Sequence, residues 1–183
     1  MKVLVTGGLG FIGSHTVVKL IENKFDVVII DNLFNSKLVV LDRIEKITGI
    51  RPVFYQFDVQ DIEKLREVFR KEKPEAIIHF AGYKAVGESV AKPLMYYQNN
   101  IESTFALLDC MAEFNVKNLV FSSSATVYGL PDKVPLTEDS PVKSATSPYG
   151  ETKVMIERIL SDICAVNKDY NVALLRYFHP IGA

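Results

Sequence analysis

Tyr149 and Lys153 are the side chains whose types and spacing best suit chemistry. They occupy positions i and i+4 on one face of the helix that is predicted to start after Pro148. Upstream, a run of serines, Ser122 to Ser124, lies at the end of the fifth predicted strand. Proton transfer coupled to hydride transfer requires a base with a near-neutral pKa, whereas a free tyrosine has a pKa of about 10.

A nearby cation can lower the pKa of a tyrosine from its free value toward neutral. Lowering the pKa by ~3 units takes ~4 kcal/mol, and a cation ~4 Å away at an effective dielectric constant of ~20 provides an energy of that size. We therefore predict that Lys153 and a positive nicotinamide ring lower the pKa of Tyr149, while Ser124 hydrogen-bonds the substrate hydroxyl. A lone Tyr-x-x-x-Lys pair also fits an ordinary turn of a surface helix, but the serine run and a glycine-rich loop favour the catalytic interpretation.

That glycine-rich loop follows the first predicted strand and opens the first predicted helix. Gly7, Gly10 and Gly13 have the spacing that allows a tight turn, close approach to a pyrophosphate, and close packing of helix on strand. Asp31 directly follows the second predicted strand, eighteen residues after Gly13, which is about the separation expected of a carboxylate that binds an adenosine ribose. Such a carboxylate repels a 2′-phosphate, so the pattern predicts NAD rather than NADP. The alternative is a structural glycine turn with an aspartate helix cap.

The elements that must position these residues alternate between strand and helix. The strand candidates are Lys2–Thr6, Val27–Ile30, Pro52–Gln56, Ala76–His79, Asn118–Ser122 and Asn171–Arg176. Most are continuous apolar runs, typical of parallel strands covered on both faces, and helical apolar patterns lie between them. The alternation predicts an α/β fold, a Rossmann-type doubly wound parallel sheet in three layers (α/β/α), as one NAD-binding domain over residues 1–183. The proline-rich stretch Gly129–Pro148 is predicted to be a long functional loop.

Composition excludes several classes of function. The chain has 21 basic and 22 acidic residues, which gives no tendency to bind nucleic acid or an acidic membrane. The first apolar run is too short for a signal peptide or a membrane span, so we expect a cytoplasmic protein. Cys110 and Cys164 fall in helical patterns and are expected to be buried and reduced. His15 and His79 lack ligand spacing, so we predict no metal site, and His79 is expected to be a buried, hydrogen-bonded histidine.

The whole chain resembles the UDP-glucose (UDP-galactose) 4-epimerase family, within the extended short-chain dehydrogenases/reductases. The segments that carry the resemblance are Val5–Gly8, Asp31–Ser36, His79–Gly82, Lys84–Ser89, Asn99–Asn100, Ser122–Gly129, Ser147–Gly150 and Leu175–Phe178. The resemblance implies interconversion of UDP-glucose and UDP-galactose, in galactose metabolism, by reversible oxidation at the sugar C4 with tightly held NAD. Tyr149 would take the proton of the 4-hydroxyl. It also implies a homodimer formed through helices near Leu94–Asn115 and Tyr149–Asn167.

The motifs and the resemblance together assign site residues. The catalytic residues are Tyr149, Lys153 and Ser124. The residues expected to contact NAD are Gly7, Gly10, Phe11, Ile12, Gly13, Asp31, Asn32, Leu33, Phe34, Asn35, Ser36, Asp58, Val59, Phe80, Ala81, Gly82, Tyr83, Lys84, Asn99, Ser122, Ser124, Tyr149, Lys153, Tyr177 and Phe178. Those expected to contact the substrate are Lys84, Ser124, Tyr149 and His179.

Three features separate the chain from other members of the superfamily. Dehydratases and decarboxylases have acidic residues directly after the serine or threonine, whereas Ala125 and Thr126 cannot ionise, which disfavours dehydration. His179 replaces the asparagine usual in the family and lacks the paired donor and acceptor of an amide. The sequence ends soon after the sixth strand, so we expect the C-terminal substrate domain to be absent.

Two alternatives to an epimerase remain from the sequence. One is an inactive NAD-binding fragment or dimerisation module, and the other is another NAD-dependent enzyme that modifies a sugar nucleotide.

Overall fold

A six-stranded parallel β-sheet forms the centre of the protein. The computed structural model describes residues 1–181, and its strands are arranged in the order β3-β2-β1-β4-β5-β6. The strands are β1 Lys2–Thr6, β2 Asp26–Ile30, β3 Val53–Tyr55, β4 Ala76–His79, β5 Asn118–Ser124 and β6 Asn171–Tyr177. The predicted α/β class and doubly wound parallel sheet are confirmed. The predicted domain limit at Ala183 lies outside the described residues.

In the described part of the chain, six α-helices connect or flank the strands. They are α1 Phe11–Glu22, α2 Val39–Thr48, α3 Ile62–Glu72, α4 Val86–Ala91, α5 Pro93–Glu113 and α6 Pro148–Val166. A 3₁₀ helix, Ala125–Tyr128, follows β5 directly. The segment from Gly129 to Ser147 contains neither helix nor strand, as predicted.

Side-chain alternation along the central strands divides the core into two layers. Val3 and Val5 of β1 pack on one face of the sheet with α1 and α2, and Leu4 between them packs on the other face with α3, α5 and α6. Because both faces are covered, β1 and β2 are almost wholly buried, which explains their continuous apolar sequences. The layers also place the start of α1 and the start of α6 at the same edge of the sheet.

The structure differs from the predictions mainly at the edges of the sheet. β3 is shorter than predicted, since it pairs only with β2. β5 continues through Ser124, because Ser123 and Ser124 pair with Arg176 and Tyr177 of β6, although serine gives little strand signal. β6 has alternating burial, as expected of an edge strand with one covered face. The six-residue α4 and the 3₁₀ helix are too short for a periodic apolar pattern.

The cysteine prediction is right for one residue and wrong for the other. Both thiols are free; Cys110 is buried in α5, whereas Cys164 is partly exposed because the last turns of α6 face outward. Within residues 1–181, none of the helices combines the length and apolar character needed to cross a membrane.

Candidate active site

A cleft of about 510 Å³ lies at the carboxyl ends of the strands. The sheet order changes direction between β1 and β4, so the turns that follow these two strands diverge and leave a crevice between them. The glycine loop after β1, the turn after β4 and the start of α6 all border it.

Steric constraints explain the glycine loop. Gly7 has a φ of +68°, and a Cβ there would lie 2.7 Å from the backbone nitrogen of Ala81. A Cβ on Gly13 would collide with the carbonyl oxygen of Gly7. Gly10 is the N-cap of α1 and has no side-chain cap, so the first N–H groups of this helix are left for an acceptor outside it. The loop therefore presents unpaired N–H groups and the positive end of a helix dipole to the cleft.

Asp31 ties this loop to the end of β2. One carboxylate oxygen accepts the N–H of Leu9 at 3.0 Å, and the other accepts the N–H of Leu33 at 2.9 Å and the hydroxyl of Ser36 at 2.7 Å. Three donors leave one acceptor position of the carboxylate without a partner in the described part of the chain, and Asp31 lines the cleft. Asp31 therefore shapes the loop and also faces the cleft.

The turn after β4 is fixed by a residue that sequence reasoning assigned no role. The buried amide of Asn100 accepts the N–H of Tyr83 at 2.8 Å and donates to the carbonyl of Tyr83 at 3.0 Å. The same amide donates to the hydroxyl of Thr152 in α6 at 3.0 Å. Asn100 thereby links the cleft wall after β4 to the helix that carries Tyr149 and Lys153.

Tyr149 and Ser124 come together at the start of α6. The hydroxyl of Ser147 caps this helix by accepting the N–H of Gly150 at 3.2 Å, and Pro148 occupies its first turn. Burial raises the pKa of Tyr149 above its usual range, and a hydrogen bond with Ser124 partly offsets that effect. In the protein alone the pKa of Tyr149 is therefore raised, because desolvation of the phenolate dominates. The predicted lowering requires both Lys153 and a positive nicotinamide ring, and it stays a prediction.

Lys153 is buried beneath Tyr149. Its ammonium donates to the carbonyl oxygen of Ser122 at 2.8 Å and lies 5.9 Å from the centre of the Tyr149 ring. Burial lowers the pKa of Lys153 to about 8, while the carboxylate of Glu157 acts in the opposite direction. The ammonium is thus close enough to act on Tyr149 but is held on the strand.

His79 is a buried histidine with two hydroxyl neighbours, as expected from the sequence. Its Nδ1 lies 2.7 Å from the hydroxyl of Thr6 and its Nε2 lies 3.4 Å from that of Thr104. Burial lowers its pKa to about 3, so it is neutral at ordinary pH.

The structure gathers the predicted site residues around one cleft, with one exception. All of them line it except Leu33, which has a left-handed φ of +62° and serves the turn through its N–H bond to Asp31. The lining residues that were not predicted are Phe57, Val86, Ser103, Ser123, Thr126 and Pro180. Ser103 lies one helical turn after Asn99, a spacing that could have identified it.

The sheet order, the glycine loop and the Ser124–Tyr149–Lys153 group define a dinucleotide-binding Rossmann domain of the short-chain dehydrogenase/reductase class. The model of the NAD dependent epimerase/dehydratase family matches residues 3–183, and the chain belongs to that family.

Named relatives agree with this assignment. The chain is 53% identical over 183 residues to the UDP-glucose 4-epimerase of Bacillus subtilis, a match that covers 100% of this chain and 54% of that protein. It is 55% identical over 185 residues to a UDP-glucose 4-epimerase of Schizosaccharomyces pombe, covering 99% of this chain and 52% of that protein. The chain therefore spans about half the length of the curated relatives it matches.

Solved structures show the same fold. The UDP-glucose 4-epimerase of Bifidobacterium longum in complex with NAD+ and UDP has a TM-score of 0.98 and 49% identity, covering 100% of this chain and 55% of that chain. The enzyme of Stenotrophomonas maltophila with bound NAD and formylated UDP-arabinopyranose has a TM-score of 0.97 and 46% identity, covering 100% and 54% of the two chains.

We predict that Gly13→Ala lowers the free energy of unfolding by ~1–3 kcal/mol, because its Cβ must displace the Gly7 backbone. Gly87→Ala is the control: it lies in α4, where an added Cβ would have no atom within 4 Å, so we expect a gain of up to ~1 kcal/mol. Urea denaturation measures both values. Equal stability of the two variants would contradict the steric explanation.

Proposed function

We propose that residues 1–183 form the NAD-binding, catalytic domain of an epimerase that interconverts UDP-glucose and UDP-galactose in the cytoplasm. The observation that carries the proposal is the placement of Ser124, Tyr149 and Lys153 at the edge of a cleft that also contains the glycine loop. The epimerase names of the relatives support the substrate class.

The residues of the cleft fit NAD. The uncapped start of α1 offers N–H groups and a partial positive charge to a pyrophosphate. The free acceptor position on Asp31 suits a ribose hydroxyl, and Asp58, which accepts the amide of Asn32 at 2.9 Å, lies farther along the same wall. When bound, NAD supplies a hydride acceptor and, after reduction, a hydride donor.

The protein residues would handle the proton. Tyr149 would take it from the sugar 4-hydroxyl and later return it, and Ser124 would hold both oxygens in hydrogen-bonding positions. Because burial raises the pKa of Tyr149, we infer that Lys153 needs the second cation of the nicotinamide ring before Tyr149 becomes a useful base. Lys84 and His179 line the open side of the cleft and would face the sugar nucleotide.

The cofactor preference depends on the charge of Asp31. We predict that NAD binds more tightly than NADP and that Asp31→Asn reduces the difference roughly tenfold, or ~1.4 kcal/mol. Asparagine removes the charge but keeps one of the two acceptor oxygens, the one for Leu33 or the one for Leu9, whereas alanine removes both. Calorimetric titration with both dinucleotides measures the ratio. NADP binding as tight as NAD binding in the parent would refute the assignment of Asp31.

Turnover is best tested in a chimera in which residues 1–183 replace the matching part of the Bacillus subtilis relative. We predict that Tyr149→Phe in this chimera retains NAD but loses ~10²–10⁴-fold in epimerisation of UDP-galactose, because it removes the proton acceptor and keeps the ring. Tyr97→Phe, on α5, is the control and should turn over at the parent rate. Near-parental turnover by Tyr149→Phe would show that another residue is the base.

The same proposal includes a homodimer, formed through α5 and α6. Leu94 and Phe105 of α5 are 67% and 46% exposed, and Met155 of α6 is 44% exposed, so neighbouring helices present apolar side chains to solvent. We predict that Phe105→Glu converts a dimer of the chain to a monomer, measured by sedimentation equilibrium. Ile47→Glu is the control, because it also replaces an exposed apolar side chain with a carboxylate, but on α2, where Ile47 is 65% exposed. This variant should leave the dimer intact. A monomeric parent chain would contradict the proposal.

The second candidate is a non-catalytic NAD-binding or dimerisation module. The observation that favours it is the coverage: the 183-residue chain spans only 54% of the Bacillus subtilis relative. NAD binding without turnover, in the chain and in the chimera alike, would favour this candidate.

A further inference from the structure

Glu157 is a buried carboxylate in α6 that the proposed reaction does not use. The residue is 5% exposed, and its oxygens accept hydrogen bonds from the hydroxyl of Ser123 and, in a bidentate pair, from the guanidinium of Arg176 at 3.0 and 2.8 Å. A buried charge with this number of partners is costly to assemble and rigid once formed.

The partners of Glu157 belong to the elements that surround the catalytic group. Ser123 precedes Ser124 in β5, and Arg176 is in β6. Arg176 also donates to the hydroxyl of Tyr128 at 3.0 Å, at the end of the 3₁₀ helix that starts after Ser124. One carboxylate therefore joins α6 to β5 and β6, and through Arg176 to the 3₁₀ helix.

Lys153 lies one helical turn before Glu157, on the same face of α6. Its hydrogen-bond acceptor is the carbonyl of Ser122, the residue before Ser123. Glu157 thus fixes both sides of the Lys153 contact: the helix that carries the ammonium and the strand that supplies its acceptor. We propose that Glu157 is a positioning residue, which holds the Lys153 ammonium on the Ser122 carbonyl beside Tyr149 and balances its charge.

A titration of Lys153 can be interpreted only if the ionisable groups around it keep their charge over the same pH range. Ionisable groups on the elements packed around α6 include Tyr149 and Glu157 of α6, His79 of β4, Arg176 and Tyr177 of β6, Tyr128 of the 3₁₀ helix, Glu88 of α4, and Tyr96, Tyr97, Glu102 and Cys110 of α5. Burial raises the pKa of Tyr96 to about 12 and that of Cys110 to about 11. His79 has a pKa of about 3 and Glu157 raises the pKa of Arg176, so neither changes charge near pH 8. Burial raises the pKa of Tyr149 and Tyr177. Lys153 has a pKa of about 8, so its titration falls in this range.

A merely structural ion pair is the competing explanation, and the chain contains a matched example. Glu72 is 9% exposed, accepts the hydroxyl of Tyr55 at 2.6 Å and pairs with the ammonium of Lys2 at 3.0 Å. Like Glu157, it is a buried carboxylate with one hydroxyl and one cationic partner. Lys2 begins β1, so this pair lies at the opposite edge of the sheet from the cleft.

The experiment is an NMR titration of the 183-residue chain with lysines labelled with carbon-13 at Cε. The resonance of Lys153 is the one missing from Lys153→Met. Glu157→Gln should lower the midpoint of this resonance by roughly one pH unit, because the ammonium loses the carboxylate whose charge raises its pKa. Arg176→Gln should raise the midpoint of the Lys153 resonance, because the negative charge of Glu157 is then no longer offset by the guanidinium and acts more strongly on Lys153. Glu72→Gln should leave it unchanged while also reducing stability.

Opposite shifts from Glu157→Gln and Arg176→Gln cannot come from a general loss of packing. An unchanged midpoint in Glu157→Gln, or shifts of the same sign in both variants, would overturn the proposal. If either single variant does not fold, the double variant Glu157→Gln with Arg176→Gln leaves no unpaired buried charge. The midpoint of Lys153 should still fall in the double variant, because Glu157 is the charged group that raises the pKa of Lys153, and an unchanged value would again overturn the proposal.

The inference rests on the proposed function where it treats Lys153 and Tyr149 as catalytic. In the chimera, Glu157→Gln should lower kcat about tenfold with little change in KM, and the loss of turnover at high pH should begin at a lower pH than in the parent. The NMR titration needs neither NAD nor a sugar nucleotide. An inactive parent chimera would therefore count against the proposed function, whereas an unshifted Lys153 resonance would count against the role of Glu157.

Discussion

Parallel pairing of all six strands makes every strand end at the same edge of the sheet, and the cleft depends on this constraint. The register places Thr6 beside Ile30 on one side and beside His79 on the other, so the turns after β1, β2 and β4 begin at the same level. Ser124 is opposite Tyr177 in the same way. A register shift of one residue would turn each of these side chains to the other face and separate the groups that meet in the cleft.

Close backbone approach is the second requirement at this edge. The start of α1 can reach the end of β1 only because Gly13 has no side chain to meet the Gly7 carbonyl. Asp31 then joins the loop to β2 through the N–H of Leu9. The same carboxylate that would select the cofactor therefore also shapes the loop that would bind its phosphates, which couples cofactor choice to local stability.

Lys153 and Glu157, two buried charged residues in α6, show how the protein places a cation away from solvent beside the cleft. Lys153 has one hydrogen-bond partner in the described part of the chain, the carbonyl of Ser122, and burial lowers its pKa to about 8. Glu157 acts in the opposite direction while its own charge is balanced by Arg176. A lysine that remains near its titration point can respond to the charge of a bound dinucleotide, whereas an exposed lysine cannot.

The sequence alone determined the α/β class, the glycine loop with its acidic partner, and the Tyr149–Lys153 pair, because these depend on local patterns. Strand–helix alternation, glycine spacing and the i, i+4 rule are readable without contacts between distant residues. The resemblance to the epimerases predicted most of the remaining cleft residues, which lie in short turns and therefore show no periodic pattern. Tertiary structure decided what local patterns do not contain: the clamp by Asn100, the pairing of Glu157 with Arg176, and the raised pKa of Tyr149. Each of these is set by residues far apart in the chain, or by the extent of burial, because desolvation and long-range hydrogen bonds exist only after the layers have packed.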